Sequence, residues 1–127
     1  MEKIGYRNIP GKGRGVVALR PFSSGEKIER APVIAISREE APLIRDTRLA
    51  HYYYEWGEDC SAAAIALGYG SLYNHSYTPS ARYEFCEAEE CIEFFALRDI
   101  QPGEEITINY NNLGQSANKP LKFEAHQ

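Results

Sequence analysis

One ten-residue pattern occurs twice in this chain. Leu19, Arg20, Gly25, Glu26 and Ile28 recur at the same offsets as Leu97, Arg98, Gly103, Glu104 and Ile106. Each copy reads as a strand, a turn at glycine and a second strand, because glycine accepts backbone angles that other residues resist. Two copies are too few for a stacked repeat array, in which each unit buries its neighbour. The echo therefore predicts two similar turns within one mainly β domain of short, irregular strands.

The rest of the chain agrees with that class. Arg14 to Leu19 reads as a strand, Pro21 to Gly25 as a turn, and Lys27 to Ile36 as a strand. Pro32 falls inside the last of these and predicts an edge or a bulge there. Arg38 to Ala50 is polar and fits a short helix or a loop. His51 to Trp56 is rich in aromatics and reads as a strand. Cys60 to Leu67 is alanine-rich and predicts a short helix ended by Gly68. Ala81 to Phe85 and Ile92 to Leu97 read as strands around an acidic turn, Glu87 to Glu90. Glu105 to Tyr110 alternates polar and apolar residues, the pattern of a half-buried strand. The tail from Asn111 is polar, with Phe123 its one aromatic.

Composition excludes several classes. With 127 residues, 43% of them apolar, the chain fits one domain with a core of its own. Met1 to Pro10 has no apolar stretch, so a secretory leader is not expected; no apolar run of about eighteen residues occurs, so neither is a membrane span, and a cytoplasmic location is the expectation. Cys60, Cys86 and Cys91 stand in no metal-ligand spacing, so no metal is expected and a reduced compartment fits. A net charge of −4 argues against nucleic acid, which needs a basic face. It suits a basic protein or peptide, though so small a charge steers weakly and also reads as a solubility charge.

Three features could carry chemistry. Gly11-Lys12-Gly13-Arg14-Gly15 is either a flexible turn or backbone brought close to a ligand; it lacks the ending of a phosphate loop, and a strand follows it. Asn74-His75-Ser76 lies in a turn before Pro79, with no carboxylate or nucleophile at a telling spacing. The nine tyrosines, among them Tyr52, Tyr53, Tyr54, Tyr69, Tyr73, Tyr77, Tyr83 and Tyr110, fill strands or line a narrow aromatic channel. Ring faces of that kind attract cations such as a lysine ammonium.

In order along the chain, Lys12-Gly13-Arg14-Gly15-Val16, Gly25-Glu26-Lys27-Ile28, Asn74-His75-Ser76 with Pro79, and Gly103-Glu104-Glu105-Ile106-Thr107-Ile108-Asn109-Tyr110 resemble the motifs of the SET-domain lysine methyltransferases. The resemblance runs from about Lys12 to Asn111 and looks closest to the short free-standing SET proteins of viruses and bacteria. It implies a single SET domain over 1–127, with a core of about 12–111 and a tail, 112–127, that could act as a lid. The implied fold has short curled β-sheets, few short helices and a knot-like crossing of the Asn74 and Tyr110 segments.

The implied activity is transfer of a methyl group from S-adenosylmethionine to a lysine amine of a basic protein, leaving S-adenosylhomocysteine. A catalytically weak SET-fold module that binds a protein or peptide is the alternative. By resemblance Lys12, Gly13, Arg14, Asn74, His75, Tyr110 and Phe123 would hold the cofactor, and Tyr110 would be catalytic. Tyr69 and Tyr83 would line the lysine channel. A lysine with an ordinary pKa of about 10.4 is protonated at neutral pH and cannot attack, so a desolvating channel would have to lower that value. Holding the amine in line with the methyl could then supply roughly 7–11 kcal/mol of the barrier. The zinc clusters of larger relatives are missing, and Ala31-Pro32 stand where some members carry a channel tyrosine. A homodimer would help so small a domain complete its groove.

Overall fold

The computed structural model describes residues 2–111; Phe123 and the proposed lid lie outside the described residues. The strands are β1 (Ile4–Ile9), β2 (Gly13–Ala18), β3 (Lys27–Ile36), β4 (Tyr53–Trp56), β5 (Ala62–Ala66), β6 (Asn74–His75), β7 (Ala81–Cys86), β8 (Cys91–Ala96) and β9 (Glu105–Ile108). A short helix, α1 (Ala41–Arg45), and 3-10 turns at Arg48–His51 and Glu87–Glu89 connect them. A 4-stranded sheet runs β1-β2-β9-β6 and a 5-stranded sheet β4-β5-β3-β8-β7. The fold is mainly β, as expected. Phe22, Ile28, Phe94, Ile92, Ile100, Ile106 and Ile108 form the centre of one core between the sheets.

The sequence echo is a structural repeat. Gly25 and Gly103 adopt φ of 87° and 89°, a left-handed conformation that suits glycine. Glu26 Oε1 accepts from Ser23 N–H at 3.0 Å, and Glu104 Oε1 accepts from Gln101 N–H at 2.8 Å. Arg20 and Arg98 then pair with those same glutamates at 2.7 and 3.0 Å. Each turn docks on the strand leading into the other. Gly25 N–H donates to Ala96 O, and Gly103 N–H donates to Ala18 O, both at 2.8 Å. Between them Phe22 and Ile100, both buried, exchange two backbone hydrogen bonds of 2.9 Å. The two copies are thus related by a local two-fold relation, and this clasp holds β9 beside β2.

Three expectations change. Cys60 to Leu67 contains no helix: Ala62–Ala66 is β5, paired antiparallel to both β3 and β4. Alanine favours helix when a helix can bury a face of its own, but here tertiary packing overrides that preference. Ala63 and Ala64 are fully buried, and a Cβ on Gly70 would come within 2.6 Å of Ala66 Cβ. Only small side chains fit at that depth.

Pro32, in turn, does not mark an edge, because β3 is the central strand of its sheet. It sits where β3 changes partners, from β8 (through Pro32) to β5 (from Val33), so its missing N–H interrupts neither ladder. The bulge in β3 lies elsewhere, between Lys27 and Glu29. Finally, β1 was not read from the sequence. It pairs with β2 over its whole length, yet Ile4 is its one buried residue, so backbone pairing rather than an apolar pattern defines it.

Candidate active site

β6 is two residues long and pairs parallel with β9, Asn74 beside Thr107 and His75 beside Ile108. Ser76 N–H extends this pairing to Ile108 O at 2.8 Å. β2 lies on the other edge of β9, with Val17 opposite Glu105. The three motifs that are far apart in the chain therefore meet on adjacent strands.

On that surface Asn74 is held tightly. Its amide nitrogen donates to Glu105 Oε2 at 2.7 Å and to Arg14 O at 3.2 Å. Both amide hydrogens are thereby engaged, and Asn74 Oδ1 accepts nothing among the described residues. Lys12 Nζ pairs with the other Glu105 oxygen at 2.9 Å, both side chains being largely covered. Gly15 permits this arrangement, since a Cβ there would lie 2.7 Å from Asn74 Nδ2, 2.7 Å from Glu105 Oε2 and 2.8 Å from Ile9 Cγ1. Gly11 and Gly13, with φ of 79° and 80°, have no heavy atom within 4 Å of an added Cβ. The backbone there faces open space.

His75 is 1% exposed. Its Nδ1 accepts from Tyr110 N–H at 3.0 Å, so in the neutral ring the hydrogen is on Nε2. That Nε2 is buried and has no hydrogen-bond partner among the described residues. Burial lowers the His75 pKa from its usual 6.5. Protonating Nδ1 would set it against the Tyr110 N–H, so acid opposes this contact. The unfolded chain takes up the proton as pH falls through 6.5, while the native state resists until a lower pH. Stability from His75 is complete above 6.5 and is lost as pH drops below it. Thermal melts from pH 7.5 to 5.5 should show a falling Tm that His75→Asn, which keeps an acceptor at the δ position, flattens. An equal slope in both proteins would contradict the assignment.

Tyr110 follows β9. Its hydroxyl donates to Tyr73 O at 2.8 Å, and its own carbonyl accepts from Tyr83 Oη at 3.1 Å. Burial, then the nearby Tyr52 and Glu105, push its phenol up to about 12. Tyr110 is thus a neutral phenol at neutral pH. Its ring is 5.1 Å from that of His75. Tyr83 packs edge-on against Tyr54 at 5.4 Å and lies 6.2 Å from Phe94; Tyr73 stacks on Phe94 at 4.4 Å. Tyr54 Oη donates to Gly70 O at 2.6 Å. Burial, then the neighbouring Tyr83, Tyr110 and Glu29, raise the Tyr54 pKa well above the ordinary phenol value.

The fold thus brings together Lys12, Arg14, Asn74, His75, Tyr83 and Tyr110. Gly13 lies at the open end of the same strand pair. Tyr69 packs against the same core as Tyr110, but its ring lies 6.3 Å from Tyr6 and no ring contact joins it to Tyr83 among the described residues. Sequence reasoning missed Glu105 as the partner of both Lys12 and Asn74, and missed Tyr54 and Tyr73 as specific members of the aromatic cluster. The alternation of β9 hinted at a role for Glu105 only in placing it on the face opposite Ile106. Among the described residues no group of three or more His, Cys, Asp or Glu side chains could hold a metal, and no helix is long and apolar enough to cross a membrane.

Comparison with known proteins agrees with this geometry. The family model described as the SET domain matches residues 13–111. The chain is 36% identical over 107 residues to a histone-lysine N-methyltransferase, H3 lysine-37 specific, of Schizosaccharomyces pombe, covering 84% of this chain and 71% of that one. It is 30% identical over 128 residues to histone-lysine N-methyltransferase Set8 of Drosophila melanogaster, covering 91% of this chain but 18% of that protein. The crystal structure of a Plasmodium falciparum protein described as a candidate histone methyltransferase superposes with a TM-score of 0.68 at 32% identity, over 85% of this chain and 96% of that one. The match spans Asn74, His75 and Tyr110, and on it this chain belongs to the SET-domain family of protein-lysine methyltransferases.

Proposed function

We propose that this chain transfers a methyl group from S-adenosylmethionine to the side-chain amine of a lysine in a basic protein, with histone tails the nearest substrate class. The observation that carries the reading is the convergence of Asn74 and His75 of β6 with Tyr110, just past β9, beside the open glycine backbone of residues 11–13. The cofactor brings an electrophilic methyl group on a sulfonium.

The donor set fits that ligand. Asn74 Oδ1 is a fixed acceptor for an ammonium, since Glu105 and Arg14 O consume both hydrogens of its amide. The buried His75 Nε2–H is a donor awaiting an acceptor. An unpaired buried donor costs about 1–3 kcal/mol, which a ligand acceptor would recover. Tyr110 donates its one hydroxyl hydrogen to Tyr73 O, so toward a lysine amine its oxygen can act only as an acceptor. With its phenol at about 12, Tyr110 orients the amine and does not take its proton. Buried Tyr73 and Tyr83 around it make a poor solvent for an ammonium, which favours the neutral, nucleophilic lysine. The net charge of −4 favours a basic partner.

Calorimetry tests the cofactor. S-adenosylmethionine and S-adenosylhomocysteine should bind the pure protein, and Asn74→Ala should weaken both by about 10-fold or more, since a lost buried hydrogen bond costs roughly 1–3 kcal/mol. Absence of binding at millimolar ligand, or unchanged affinity in a folded Asn74→Ala protein, would refute the assignment. Chelator treatment should leave both folding and methyl transfer intact; tightly bound zinc in the purified protein would contradict that.

A further inference from the structure

Glu29 belongs to none of the motifs, yet the fold delivers its carboxylate to the aromatic cluster. Simple alternation along β3 would bury Ile28 and send Glu29 outward. The bulge between Lys27 and Glu29 breaks that alternation, so that Ile28 is buried and Glu29 also turns inward, opposite Phe94 of β8. Bulges re-aim side chains in this way and are common beside active sites.

Inside, the carboxylate grips both ends of one turn. Oε2 accepts from Tyr69 N–H at 3.0 Å, and Oε1 accepts from Tyr73 Oη at 2.7 Å. A Cβ on Gly68 would lie 2.6 Å from Oε2, so glycine is required for the turn to close over the carboxylate. No Lys, Arg or His among the described residues pairs with Glu29. Its pKa is raised by burial, against the two hydrogen bonds that lower it. A half-buried carboxylate without a cation is costly to keep. What it fixes is Tyr73, whose ring is clamped between this hydrogen bond and the Phe94 stack, and whose carbonyl receives the Tyr110 hydroxyl.

We propose that Glu29 is a positioning residue that, by holding Tyr69 N–H and Tyr73 Oη, sets the Tyr73 carbonyl that orients the Tyr110 hydroxyl toward the substrate amine. This rests on the reading of Tyr110 given above. Glu29→Ala cuts both contacts. Glu29→Gln retains them, its oxygen accepting from Tyr69 N–H and its amide donating to the Tyr73 hydroxyl oxygen. Tyr73→Phe cuts one contact from the other side and serves if Glu29→Ala does not fold.

Single-turnover transfer from prebound S-adenosylmethionine to mixed core histones should fall at least 10-fold in Glu29→Ala, with cofactor Kd within about 3-fold of wild type and recovery in Glu29→Gln; Tyr73→Phe should also slow. The losses should not multiply: Glu29→Ala combined with Tyr110→Phe should be no slower than Tyr110→Phe alone. The NMR resonance of the Tyr110 Cζ should shift in Glu29→Ala and return in Glu29→Gln. An unshifted resonance, an undiminished rate, or multiplying losses would overturn the proposal. If wild type transfers no methyl group, the functional reading fails, and the Tyr110 resonance still decides the positioning role.

Discussion

Tyr110→Phe should lose methyl transfer by about 10²-fold or more while keeping its fold and its cofactor. The substitution removes one oxygen and leaves the ring against His75. That oxygen donates to Tyr73 O, so its removal strands one carbonyl and costs about 1 kcal/mol of stability. The backbone contacts of Tyr110, N–H to His75 Nδ1 and C=O from Tyr83, do not depend on the hydroxyl. Affinity for S-adenosylhomocysteine should therefore stay within a few-fold. A 10²-fold loss corresponds to about 2.7 kcal/mol, typical for one positioned polar group in a transition state. If Tyr110 were only a core residue, the same small fall in melting temperature would come with normal turnover of the folded fraction, so the single-turnover rate separates the two.

Gly15→Ala should abolish tight cofactor binding. The added methyl would fall 2.7 Å from both Asn74 Nδ2 and Glu105 Oε2, closer than side-chain carbons come to other heavy atoms. Something must move. Ile9 Cγ1 stands 2.8 Å away as well, so the crowded side chains, Asn74 and Glu105 nearest among them, must shift. Asn74 then loses its hold on Glu105 and on Arg14 O, and its amide oxygen is no longer aimed. Affinity should weaken by at least 10-fold beyond Asn74→Ala, because the displaced groups also intrude on the ligand. Overpacking should cost about 1–3 kcal/mol of stability. Calorimetry with S-adenosylhomocysteine checks this, and near-native affinity in Gly15→Ala would show that the Asn74 cradle is not where the cofactor lies.

Much of this was legible in the sequence for physical reasons. Apolar runs locate β2, β3 and β8, and the alternating residues from Glu105 locate β9, although β2 and β9 are buried on both faces. The twin turns announced themselves through glycine at φ near 90° and the glutamate that caps each one. That these turns clasp each other was not legible, since it depends on pairing between residues some 78 apart, such as Phe22 with Ile100. β5 was misread because alanine carries little information about its partners, and its fit between β3 and β4 is a property of the space left there. In the site, Asn74, His75 and Tyr110 could be named from their motifs. Glu105 and Glu29 could not be singled out, because each is one of many glutamates until the fold places it: Glu105 between Lys12 and Asn74, Glu29 turned inward by a bulge.

The central claim is that the Asn74–His75–Tyr110 site moves a methyl group onto protein lysine. Purified protein should be incubated with methyl-labelled S-adenosylmethionine and a mixed histone preparation, and the products read by mass spectrometry. The account predicts label on lysine side chains, present with wild type and lost with Tyr110→Phe. Label confined to other residue types, or equal lysine labelling by wild type and Tyr110→Phe, would contradict it.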